Sequence, residues 1–387
     1  MSHFDFDHVP NRLGTGCYKW DEDPSLLPMH VADMDFAVAP CIVESIQKRA
    51  EHPVFGYNII TKEWKQAYID FYQRRYDWAF EEENITFITG VVPAVTSAVR
   101  AYTEVGDPIV VFTPVYNHFY SSILNSSRKV LEVPLIYDGK SYQMDFEAIE
   151  AVFAENSVKL CVLCNPGNPT SRIWSKDELT RLAKLAKQYG VIILSDEIHG
   201  LITRPGTSYV PFLTCCEQAR EIGVTTLSVS KGFNIAGLKS AATISYNLEL
   251  LKKIDRQANK DEVAEPNSFA LVAAIAALNE GEAWLDEMIE YVFANRDFAV
   301  RYIQEHMPEL VPINGDATYL LWVDISKISD DSEGFCRHLV ESEHLLFNEG
   351  SVYRGKETAF IRINIATSRS ILLEGLRRLE HGYQTRK

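Results

Sequence analysis

The chain has 387 residues, is 46% hydrophobic and carries a formal net charge of −15 at pH 7. That size suits a large buried core, as two domains or one with a satellite, while the negative charge argues against nucleic acid or an anionic membrane as partner. No run of about eighteen apolar residues would span a bilayer, no basic-then-apolar start reads as a secretory signal, and seven scattered cysteines do not read as a disulfide framework, so the cytoplasm is the expected compartment.

The first forty or so residues show no clear periodicity. From about 84 to 246 strands and helices alternate. Ile85–Ile88 is a short apolar run, and Pro93–Val105 reads as a helix with proline near its first turn. Pro108–Phe112, Val130–Leu135 and Val158–Cys164 read as strands. Ser175 and Glu178 form a capping box for a helix that Gly190 ends. Val191–Leu194 is a continuous apolar run and Val224–Val229 an apolar, β-branched one, the pattern of a mostly parallel sheet covered on both faces. A long helix is expected from Ala283 to Met307, then a strand at Thr318–Ile325, a helix near 332–343, a strand at Phe360–Ile365 and a last helix. The fold class is therefore α/β, with a large domain at 46–282 and a smaller α+β domain built from 283–387 with 1–45 wrapped onto it. Cys161-x-x-Cys164 lies in an apolar strand without a second pair at zinc spacing, so it reads as core and no metal is expected.

The chemistry gathers at strand ends, where open α/β sheets bind ligands. An apolar run delivers Lys231 into Ser228-Val-Ser230-Lys231-Gly-Phe-Asn-Ile-Ala-Gly-Leu-Lys239. Burial lowers a lysine pKa and makes the amine a nucleophile toward aldehydes. Ser228, Ser230 and Lys239 suit a phosphate, and an aldehyde that carries a phosphate is pyridoxal 5′-phosphate. Asp196 ends another apolar strand and can pair with a protonated pyridine nitrogen. Asn168, between two Asn-Pro turns, can reach a phenolate oxygen. The turn at Thr89-Gly90-Val91-Val92-Pro93 opens a helix whose backbone N–H groups can bind phosphate, with Val91 and Val92 contributing backbone only. Tyr116 can stack on a pyridine ring. Arg362, flanked by apolar residues in a strand, needs an anion, and its fork suits a substrate carboxylate. Alone, each has an ordinary structural explanation: a cap for Asp196, a plain loop for Asn168, core for Tyr116, an ion pair for Arg362.

Taken together, in this order and spacing, the chain resembles the fold-type I pyridoxal phosphate enzymes, the class I/II aminotransferase superfamily, over nearly its whole length. It is most similar to the cystathionine β-lyase, or cysteine C–S lyase, branch. The similarity rests on Lys19-Trp20-Asp21, Val31-Ala32-Asp33-Met34-Asp35-Phe36, Gly90-Val91-Val92-Pro93, Asp196-Glu-Ile-His199 and the lysine motif. The resemblance implies that Lys231 bonds the cofactor and then moves the substrate α-proton, with Tyr116 and Asp196 as its catalytic companions. It implies that Asn168 and His199 approach the phenolate oxygen, that Ser228, Ser230, Lys239 and the Val91–Val92 turn hold the phosphate, and that Tyr57 reaches the phosphate of a neighbouring subunit. Arg362 and Ala32 would bind the substrate. The family is dimeric with shared sites. The implied reaction is α,β-elimination of a sulfur-bearing L-amino acid, the alternative an aminotransferase; a regulator with a protein partner is a third class. The sequence departs from the branch at His30, Gly167, Ser171 and Tyr353, positions that bear on specificity.

Overall fold

The computed structural model describes residues 4–356 and 358–386. Seven strands form the main sheet: β1 (Ile85–Ile88), β2 (Pro108–Thr113), β3 (Lys129–Pro134), β4 (Leu160–Cys164), β5 (Ile192–Asp196), β6 (Gly223–Leu227) and β7 (Ala241–Ile244). Their order is β1-β7-β6-β5-β4-β2-β3. Neighbours pair in parallel except β7, which runs antiparallel to both β6 and β1.

The strands are buried on both faces because alternate residues enter two apolar clusters. Val110, Cys161, Leu163 and Ile193 point into one. Ile109, Val111, Leu160, Val162 and Leu194 point into the other. That is the period of two a strand imposes, with both faces covered by helices. The helix Lys176–Tyr189 shows how the covering forms. Leu179, Leu182, Ala183 and Ala186 are its buried stripe. Ser175 and Glu178 cap its start reciprocally, and Gly190 ends it at φ 69°.

A second, four-stranded antiparallel sheet follows: β8 (Val311–Ile313), β9 (Leu320–Asp324), β10 (Asn348–Glu349) and β11 (Phe360–Asn364), in the order β8-β9-β11-β10. Helices Glu282–His306, Ser332–Glu343 and Arg369–Thr385 pack with it and with one another. Leu27–Pro28 pairs in parallel with Leu345–Leu346, and the helix Pro40–Ala50 packs on Ala270–Glu280. Among the described residues no helix is long and apolar enough to cross a membrane.

Element boundaries differ from the sequence reading by up to three residues, and two of these differences bear on the site. The helix after β1 starts at Val91 and ends at Tyr102. The run Val224–Val229 is strand only to Leu227, because the Ser228 side chain accepts from Ser230 N–H and opens a helical turn, Val229–Gly232. Lys231 therefore sits in that turn. β7 and the helices Lys62–Tyr76, Leu248–Lys260 and Ala270–Glu280 complete the large unit.

Candidate active site

Register brings the site together. Cys164 pairs with Asp196, and Asp196 with Thr226, so the carboxyl ends of β4, β5 and β6 are level. Their loops, with those after β1 and β2, enclose a cavity of about 510 Å³. Val91, Val92, Tyr116, Asn168, Asp196, His199, Ser228, Ser230, Lys231, Lys239 and Ala32 all line it. Two of the anticipated residues do not. Arg362 lies behind Asn168, its Nη1 donating to Asn168 Oδ1 at 3.0 Å. Tyr57 is on the outside, 99% exposed.

Electrostatics divide the cavity. Burial brings the Lys231 amine down to about 8, although the Asp33 charge works to raise it. Its Nζ donates to the Ala32 carbonyl oxygen, which also accepts from Tyr319 Oη at 2.9 Å. Burial pushes the Asp196 carboxyl up to about 7, opposed by the Ile198 N–H and the Lys231 charge. That N–H, at 3.0 Å, is the hydrogen bond its carboxylate accepts among the described residues. Such a carboxylate is matched to a cationic ligand atom. Burial, then the charges of Lys231 and Arg362, push His199 down to about 3, so its imidazole is neutral, and its buried Nδ1 has no partner among the described residues. Burial raises the Tyr116 phenol to about 12, so it stays a donor.

The opposite end suits an anion. The helix Val91–Tyr102 has no side-chain cap at its start, which leaves its first N–H groups for a ligand. Ser228, Ser230 and Lys239 line the same space, the two serine hydroxyls donating to the Ser240 carbonyl. A phosphate at the helix start, a cationic ring nitrogen at Asp196 and an aldehyde carbon at Lys231 match the donors present, so pyridoxal phosphate fits.

Several contributors had no assigned role in the sequence. Asn234 donates to the carbonyls of Met34 and Phe36 and accepts from Met34 N–H, and Asn364 donates to those of Val31 and Asp33. Both stand inside motifs already noted, which was the available signal. They fasten residues 31–36 over Lys231. The same segment is anchored by buried Asp35, which accepts from Lys19 Nζ, Trp20 Nε1 and Arg12 Nη1. Burial works to raise the Asp35 pKa, but Lys19 and Trp20 hold it below the ordinary value. Behind Asp196, buried Glu197 accepts from Ser195 Oγ, Tyr209 Oη and Phe212 N–H and so braces β5.

Two departures acquire a structural reason. A Cβ at Gly167 would collide with Thr170 Oγ1. Ser171 lies at φ 55°, a conformation that favours glycine; its hydroxyl donates to Leu320 O at 2.8 Å and accepts from buried Arg296. It thus pins the Asn168 loop to the small sheet.

An α/β sheet with this lysine, aspartate and phosphate-type helix start defines a pyridoxal-phosphate-type site. The family model for class I and II aminotransferases matches residues 24–379. The cystathionine β-lyase PatB of Bacillus subtilis is 35% identical, the alignment spanning 97% of this chain and 98% of that one. Cystalysin of Treponema denticola, whose crystal structure contains pyridoxal 5′-phosphate, superposes with a TM-score of 0.95 at 29% identity, covering 99% of this chain and 100% of that one. A pyridoxal-phosphate-bound C–S lyase of Staphylococcus hominis gives 0.92 at 29% identity, covering 98% of each chain. The chain belongs to the class I and II aminotransferase family.

Proposed function

We propose that this protein is a pyridoxal 5′-phosphate-dependent carbon–sulfur lyase of the cystathionine β-lyase type. It would take an L-amino acid with sulfur on the β-carbon and yield pyruvate, ammonia and a thiol. The observation that carries the pyridoxal phosphate reading is the presence, in the lining of one cavity, of a lysine whose pKa is lowered to about 8 and a buried aspartate raised to about 7. The relatives, a cystathionine β-lyase and a C–S lyase, favour elimination over transamination.

When bound, the cofactor supplies an electron sink for the pair left at the substrate Cα. Lys231 Nζ would hold the cofactor and would also be the group that moves the substrate α-proton. Asp196 would keep the ring nitrogen protonated. Asn168 and neutral His199 would reach the phenolate oxygen, and Tyr116 would lie over the ring. Ser228, Ser230, Lys239 and the N–H groups at Val91 and Val92 would hold the phosphate. Arg362 would receive the α-carboxylate, with Ala32 beside it.

We infer a homodimer with shared sites. Val54, Phe55, Tyr57 and Ile59 are all exposed, which suits a segment that reaches a second copy. The division into a domain of 46–282 and one of 1–45 with 283–387 is supported by the two separate sheets. Seven unpaired cysteines favour the cytoplasm.

Incubation of the purified protein with cystathionine, with and without a keto acid, tests the function. Pyruvate formation without a keto acid is expected. Turnover only when a keto acid is added would make the protein an aminotransferase.

A further inference from the structure

Arg362 is 3% exposed, and no carboxylate pairs with it among the described residues. Its Nη1 donates to Asn168 Oδ1 at 3.0 Å, its Nη2 donates to the His30 carbonyl at 2.9 Å, and its buried Nε has no partner among the described residues. The guanidinium carbon stands 5.0 Å from the centre of the Tyr353 ring. A guanidinium is planar, and its recognition of a carboxylate depends on that plane. An aromatic face beside it therefore controls which way the fork points.

Tyr353 is itself held. Its ring packs edge-on against Trp322, with centroids 5.3 Å apart. Its hydroxyl accepts from Asn348 Nδ2 at 3.0 Å, and the same amide nitrogen donates to the His30 carbonyl at 3.2 Å. That carbonyl is the one Arg362 uses. Asn348, Arg362 and Trp322 stand opposite one another across β10, β11 and β9. The contacts close a circuit from Arg362 through His30 and Asn348 to Tyr353 and back to the guanidinium face. The hydroxyl is what ties the ring to Asn348, and a phenylalanine could not complete the circuit.

We propose that Tyr353, locked by Asn348, is a positioning residue that sets the plane of Arg362 and thereby the preference for ligands with an α-carboxylate. This rests on the reading of Arg362 as the carboxylate site.

The test uses the holoenzyme and two non-eliminating ligands, L-alanine and its decarboxylated counterpart ethylamine, titrated through the absorbance of the bound cofactor. Tyr353→Phe keeps the ring and loses the lock; it should weaken L-alanine about three- to tenfold. Tyr353→Leu also removes the aromatic face and should weaken it about ten- to a hundredfold. Ethylamine affinity should not move in either. With L-cysteine, Tyr353→Phe should raise KM more than it lowers kcat. An unchanged ratio of the two affinities in both variants, while Arg362→Lys collapses it, would overturn the proposal and leave the reading of Arg362 standing. Equal weakening of both ligands would reduce Tyr353 to a packing residue. A ratio that survives Arg362→Lys as well would overturn the carboxylate site itself.

Discussion

Asp196 makes the cofactor-free protein sensitive to pH in a definite direction. Its folded-state pKa of about 7 stands above the ordinary 3.8, and burial is the cause. Between those values the folded state holds a proton that the unfolded chain has released. Stability therefore falls as pH rises through that window, and the penalty is complete above pH 7. Asp196→Asn has no charge to bury. Without cofactor it should be more stable than the parent above pH 7, by at most about 4 kcal/mol, and equal to it below about pH 4. Urea unfolding across pH would show this, and a difference that is flat with pH would refute it. With cofactor the order should reverse, because the variant cannot stabilise a protonated ring nitrogen. The identity of Asp196 as an important residue was legible from its place after an apolar run. The shift itself was not, because it depends on what packs around the carboxyl.

At the scale of elements, local signals and observed boundaries agree where the chain carries its own punctuation. Ser175, Glu178 and Gly190 mark a helix that the structure places at Lys176–Tyr189. Ser175→Ala should remove one of the two reciprocal caps at a cost of about 1 kcal/mol. A modest fall in Tm with unchanged turnover is the expected result, and loss of activity would mean that this helix does more than cover the sheet. Where tertiary contacts decide, the boundaries moved. The run Val224–Val229 is rich in strand-forming residues, yet it turns after Leu227 because Ser228 caps the next residues and donates to the carbonyl of Ser240 at 2.6 Å. β7 runs against its neighbours, a direction that apolar periodicity does not encode.

At the scale of the whole molecule, Tyr57 is 99% exposed and lies away from the cavity of its own chain. If two copies share their sites, sedimentation should show a dimer. Subunits with Tyr57→Ala mixed with subunits with Lys231→Ala should then regain activity that neither has alone. A fully active monomer would remove the shared arrangement.

The sequence by itself determined the layered α/β plan, because apolar runs of strand length between capped amphipathic helices have few other ways to be buried. It also named most of the cavity lining, since strand-end residues in this order meet wherever the strands are level. Only the tertiary structure decided that Arg362 sits behind Asn168, that Asn234 and Asn364 fasten residues 31–36 over Lys231, and that Tyr353 and Asn348 close around the guanidinium. The contacts of Arg362, Asn234 and Asn364 join residues about 190 to 330 positions apart, and Tyr353 meets Asn348 and Arg362 across an irregular segment; neither kind of contact leaves a periodic trace in the chain.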